Sequence, residues 1–143
     1  MGTTHRIYIG SIQHGFDPTL QDASLWLDIP ARLRGHRVFI KANLTYPTFR
    51  PGVMTTPEAL EAVIKLLKDL GCDVTFGEAD SGGYNPFSMD KVFEQMRLAN
   101  LGRKYGAKLV NLSRESQREH AFEHQGHRYT FSYAALLDNV DMT

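Results

Sequence analysis

The sequence predicts an α/β fold: a mostly parallel sheet with helices packed on it as a two-layer or three-layer sandwich, built from Rossmann-like βαβ units. Three observations predict it. Val38–Lys41 is a short apolar run bounded by a basic connector, as buried central strands are, and Cys72–Glu78 reads as the next strand. Between them lies one strongly amphipathic helical stretch. Strand–helix–strand alternation of this kind implies parallel pairing.

The elements follow in order. Arg6–Gly10 alternates polar and apolar residues and reads as a strand, so Ile7–Ile9 is expected in the same sheet. Leu20, Ala23, Leu25, Trp26 and Leu27 suggest a helix that ends before Pro30. Arg32–Arg37 is a basic connector into the Val38–Lys41 strand. Asn43–Val53, with Pro47, Pro51 and Gly52, is a long loop, and long loops in compact domains are usually functional or mobile.

Thr56-Pro57-Glu58 supplies an N-cap hydroxyl, a proline at the first helical position and an acid in the first turn. Leu60, Val63, Ile64 and Leu67 then mark one helical face, and Gly71 is the natural stop. After the Cys72–Glu78 strand, Ala79–Pro86 is a glycine-rich loop. Ser88 caps a further helix bearing Val92, Phe93, Met96 and Ala99, which ends at Gly102 or Gly106. Lys108–Leu112 is another strand and Arg114–His120 a charged connector. Ala121–Glu123 and Arg128–Phe131 flank Gln125-Gly126 as a hairpin, and Tyr133–Leu137 reads as a short helix.

Composition limits the function. A chain of 143 residues suits one domain, 1–143, and can bury roughly two-thirds of its unfolded surface. Sixteen basic residues balance sixteen acidic ones with no basic block, so neither nucleic acid nor an anionic membrane is an expected partner. The single cysteine, Cys72, rules out an intrachain disulfide, a CxxC zinc site or a cysteine-ligated cluster held by this chain alone. It reads as a small buried hydrophobe at the start of a strand. With no signal-peptide core at the start and no apolar run of membrane-spanning length, a cytoplasmic setting is expected.

Ligands of open parallel sheets bind beyond the carboxyl ends of the strands. Lys41 and Asn43 follow one strand, while Glu78, Asp80, Ser81, Gly82 and Gly83 follow the other. Thr55 and Thr56 lie at the helix start. Lys41 offers a point charge for carboxylate or phosphate, and the helix terminus adds backbone donors. Glu78 and Asp80 are the candidate catalytic residues, for acid–base or cation work. Lys41, Asn43, Thr55, Thr56, Ser81, Gly82 and Gly83 are the candidate ligand-binding residues. Each also has a plain structural role: capping for Thr55 and Thr56, a turn for Ser81–Gly83, an ion pair between Lys41 and Glu78. The glycine-rich loop is neither a Walker A motif nor GxGxxG. His120, His124 and His127 lie close in sequence, but a turn at Gln125-Gly126 scatters their rings, so no metal site is assigned. No cofactor is indicated.

The stretch VFIKANLTYPTFRPGVMTTPEALEAVIKLL, Val38–Leu67, resembles the opening of the domain of unknown function 362 family. That family pattern has an "IKPNL" strand end, a threonine pair with P-E opening a helix, an acidic glycine-containing strand end (here GEADSGGY) and a "KYG…LVNL" stretch (here Lys104–Leu112). Ala42 stands where proline is usual, which leaves Lys41 and Asn43 in place. The resemblance runs from about Arg37 to the end. It implies that the chain is the N-terminal part of a longer family domain, with Leu136–Thr143 partway into a strand. The family's later lysine and histidine, and the ferredoxin-type cysteine clusters of longer relatives, have no counterpart here.

Two functions are compatible with this reading. One is an enzyme, or part of one, that binds a small anionic metabolite at the strand ends. The other is a noncatalytic binding or assembly module completed by a partner chain or by self-association. Under the fragment reading, Asn139–Thr143 begins a strand, and an apolar or edge surface near Val140 and Met142, or a dimer contact covering it, is expected. The helix face at Val92 and Met96 would share that exposure if a further segment normally packs on it.

Overall fold

The computed structural model describes residues 7–80 and 86–143. Its centre is a parallel sheet of β1 (Arg37–Lys41), β2 (Asp73–Glu78) and β3 (Lys108–Asn111), in the order β1-β2-β3. Val38 pairs with Val74 and Ile40 with Phe76, while Gly77 pairs with Val110 and Glu78 with Asn111. All three strands therefore present their carboxyl ends at one edge. Val74 and Phe76, on one face of β2, are fully buried, while Thr75 on the other face is partly buried.

Gly77 is required by this packing. A Cβ placed on it would lie 1.9 Å from the Val110 carbonyl oxygen, so no side chain fits between β2 and β3 at that point.

Helix α3 (Pro57–Asp69) joins β1 to β2. The Thr56 hydroxyl accepts the Ala59 amide at 3.1 Å, and Pro57 and Glu58 fill the first turn, as the sequence indicates. Its apolar face, Leu60, Ile64 and Leu67, is buried in the core beside β2. Helix α1 (Phe16–Trp26) packs on α3 from outside. Cys72 is buried and its Sγ donates to the Leu33 carbonyl at 3.0 Å.

Several expectations are corrected. Ile7–Gly10 forms no strand: Ile7 and Ile9 are 75% and 92% exposed. The β1 edge is instead occupied by the C-terminal residues. The Arg37 carbonyl accepts the Asp141 amide at 2.8 Å, and the Phe39 amide donates to the Met142 carbonyl at 2.9 Å. Asn139–Thr143 thus contributes a parallel bridge, Met142 to Val38, as a strand start would, and Met142 is exposed.

A short helix, α2 (Ile29–Leu33), follows α1 and takes in the start of the Arg32–Arg37 connector, because Pro30 is tolerated in a first turn. The Ser88-capped helix is two helices, α4 (Met89–Gln95) and α5 (Ala99–Tyr105). They are divided where Arg97 takes a left-handed conformation, φ 54°. Val92 is fully buried and Met96 packs against the core, so that face is not exposed. The hairpin is longer than expected: β4 (Gln117–His124) and β5 (His127–Ala134) pair antiparallel through Gln125-Gly126. Both turn residues have positive φ, 49° and 76°, the geometry of a two-residue hairpin turn. Gln117–His120 is therefore strand, not connector, and Tyr133-Ala134 ends β5 before a 3₁₀ turn over Ala135–Asn139.

Candidate functional site

The carboxyl edge of the parallel sheet carries a dense polar network. Lys41 ends β1 and its Nζ donates to Glu78 Oε2 at 2.7 Å. Glu78 ends β2, and its Oε1 accepts the Ala79 amide at 2.9 Å. The Glu78 side chain is 10% exposed and the Lys41 side chain 65%, so a buried carboxylate tethers a solvent-facing ammonium. One of the three ammonium protons is used by this bond.

Asn43 and Thr55 lock the β1–α3 loop. The Asn43 amide donates to Thr55 Oγ1 at 3.2 Å, the Thr55 amide donates to the Asn43 carbonyl at 3.0 Å, and Asn43 Nδ2 donates to the Val53 carbonyl at 2.8 Å. Thr56 caps α3 and lines a wide groove of about 790 Å³ between α1 and α3. Within that groove Lys104 and Tyr105 both donate to Glu61 Oε1, which holds the Glu61 carboxyl below its usual range. Lys65, also on the groove, is paired with Asp69.

Asp80 faces the start of α4. Its Oδ1 accepts the Met89 amide at 2.7 Å and Asn111 Nδ2 at 3.3 Å, while its own amide donates to Ser113 Oγ at 2.9 Å. Asn111, a buried amide at the end of β3, also donates to Asp90 Oδ1 at 3.0 Å. Arg114 Nε donates to Asp90 Oδ2 at 3.1 Å. Hydrogen bonds from Asn111 and Arg114 hold the Asp90 carboxyl below the usual aspartate range.

Lys41 and Glu78 close their strands, and Asn43 with Thr55, and Asp80, follow in the segments after them. Ser81, Gly82, Gly83 and Tyr84 lie outside the described residues. Beside the network, the β1–α3 loop and α4 enclose a cleft of about 180 Å³, where Arg50 stacks 3.7 Å from the centre of the Tyr46 ring and Lys91 lies 5.2 Å from that of Phe87.

A family model described as Domain of unknown function (DUF362) matches residues 38–143. The chain belongs to this family. No curated protein and no solved structure matches the chain significantly.

The DUF362 match begins inside β1 and takes in every candidate residue above, leaving α1 and α2 before it. Among the described residues of this DUF362 chain, no group of three or more His, Cys, Asp or Glu side chains could hold a metal ion. The turn does not scatter the histidines: His124 pairs with His127 across it, on the same hairpin face as His120, which lies tilted against Phe131 farther along. No helix among the described residues is long and apolar enough to cross a membrane.

Sequence reasoning did not single out Asn111, Ser113, Arg114, Arg50 or Lys91. A polar residue closing an apolar strand, Asn111 in KLVNL, is the one signal that marks its residue without the structure.

Proposed function

We propose that this domain binds a small anionic metabolite at the carboxyl edge of its parallel sheet, as an enzyme or part of one. The observation that carries this reading is the Lys41–Glu78 pair. A buried carboxylate, fixed by the Ala79 amide, holds an exposed lysine at a strand end. Such a lysine keeps ammonium protons for a carboxylate or phosphate, with little side-chain ordering left to lose on binding. Glu78 orients Lys41. Asn43 and Thr55 keep the adjoining loop in register, and Asp80 fixes α4 against the end of β3. Acid–base work falls to Glu78 or Asp80 once a ligand displaces one of their present partners. The test is a binding screen of small carboxylates and phosphates by thermal shift and calorimetry. At least one anion is expected to bind, and Lys41→Met should weaken it about tenfold or more, as loss of a charge-assisted hydrogen bond does. Unchanged affinity in that variant would remove Lys41 from the site.

A second reading, an assembly module that self-associates, draws on the hairpin. His120, Phe122, Tyr129, Phe131 and Tyr133 share one of its faces, and Phe122, Tyr129 and Phe131 are each nearly half exposed. A two-stranded hairpin alone is marginal in water, so covering that face would stabilise it. A second copy fits it as occupant, because the Phe122, Tyr129 and Phe131 rings at its centre are apolar and match themselves across a two-fold axis. Sedimentation of the wild type and of Phe131→Ser distinguishes a dimer through this face from a monomer.

A further inference from the structure

The cleft between the β1–α3 loop and α4 differs from the chain's other ionic clusters in one respect. Lys41, Lys65, Lys104, Arg37, Arg114 and Arg118 each have a carboxylate partner. Arg50 and Lys91, like several other exposed basic residues such as Arg97, Arg103 and Lys108, have none among the described residues, and these two line one cleft. Among the described residues no acidic one lines it: its other walls are Tyr46, Pro47, Thr48, Phe87 and Gln95. On a chain with zero net charge, two cations are gathered here without an anion.

We infer that this cleft is a subsite for a compact dianion. The inference rests on the reading that an anionic ligand occupies the carboxyl edge, and it names the ligand's class. Arg50 presents one face of its guanidinium to the Tyr46 ring, which leaves its N–H edge for two parallel hydrogen bonds to a carboxylate or phosphate. Lys91, beside Phe87, supplies a second charge. The two rings hold the solvent-exposed cations in place. Thr48 and Gln95 add neutral hydrogen-bonding groups. The cleft, about 180 Å³ and open to solvent, has room for a phosphate monoester or a four-carbon dicarboxylate. The positions explain the convergence. Arg50 comes from the loop after β1 and Lys91 from the helix that Asp80 anchors at the end of β2, so the topology that aligns the strand ends also brings these cations together.

Calorimetric titration of the whole chain with inorganic phosphate and with succinate, at low salt and neutral pH, tests the inference. One of the two is expected to bind with a single-site isotherm, and the preferred probe assigns the ligand to phosphates or to dicarboxylates. Arg50→Gln and Lys91→Met should each weaken it at least tenfold and the double variant abolish it. Both side chains are exposed, so unchanged melting curves will show that the variants fold. Retained affinity in both variants, with loss in Lys41→Met, overturns the subsite and leaves the Lys41 reading standing. Loss in the Arg50 and Lys91 variants with full affinity in Lys41→Met supports the subsite and removes Lys41. Binding of neither probe to the wild type overturns the subsite, while the wider screen with Lys41→Met still judges the carboxyl edge.

Discussion

The parallel sheet and the β4–β5 hairpin are both made of strands, yet they are held by different physics. In β1 the apolar residues run continuously over Val38–Ile40, in β2 Val74 and Phe76 point to one side, and Val38, Phe39, Val74 and Phe76 are all buried. In β4 and β5 polar and aromatic residues alternate, and every residue from Gln117 to Ser132 is exposed. The sheet is held by burial and by neighbours on both sides. The hairpin is held by its ladder, its turn and ring contacts such as the Phe122–Tyr129 stack at 5.3 Å. The sheet is therefore the rigid scaffold on which site groups can be positioned to fractions of an ångström, and the hairpin is a surface element whose partner decides its stability.

The largest expected effect separates the two regions by one kind of substitution. Phe76→Ala should cost about 3–5 kcal/mol in denaturant unfolding, because it leaves a cavity at a fully buried position. Phe131→Ala, at a ring half exposed on the hairpin, should cost under about 1 kcal/mol. Equal costs would mean that the hairpin face is covered and the contrast is false.

A smaller effect sharpens the contrast within the sheet edge. Asn111→Ala removes the buried donor shared by Asp80 and Asp90 and should cost about 1–3 kcal/mol. It should also loosen α4, read as faster exchange of the Met89 amide. A change confined to stability, with Met89 protected as before, would show that Asp80 alone fixes the helix.

The smallest effect is on pH. Hydrogen bonds from the Arg37 guanidinium and backbone amide hold the Asp141 carboxyl at about 2, below its ordinary value. A carboxyl depressed in the folded state contributes stability above its unfolded pKa and loses it as pH falls through the folded one. The Asp141–Met142 contact with β1 should thus be intact above about pH 4 and released as pH approaches 2. The Phe39 amide resonance, which reports the bond to Met142, is expected to shift in that window.

Much of the scaffold was legible because its signals are local. The Thr56 cap, the α3 face and the strands after His36 and Gly71 depend on residues near one another in sequence. The Lys41–Glu78 pair was legible as well, since two parallel strands joined by one helix must end at the same edge. The Ile7–Ile9 reading failed because alternation defines faces but supplies no ladder, and the open side of β1 is taken by Met142. The role of Asn111 depends on the register that puts it opposite Glu78, and the meeting of Arg50 with Lys91 depends on how a loop lies against a helix. Neither is written in any local pattern.

The most direct test of the account is a titration of the isotopically labelled chain with phosphate and with succinate, followed by amide chemical shifts. The account predicts saturable shifts at Lys41–Asn43, Arg50, Glu78 and Lys91, with the hairpin from Gln117 to Ala134 unmoved. Shifts confined to the hairpin, or none at the strand ends with either anion, would contradict it.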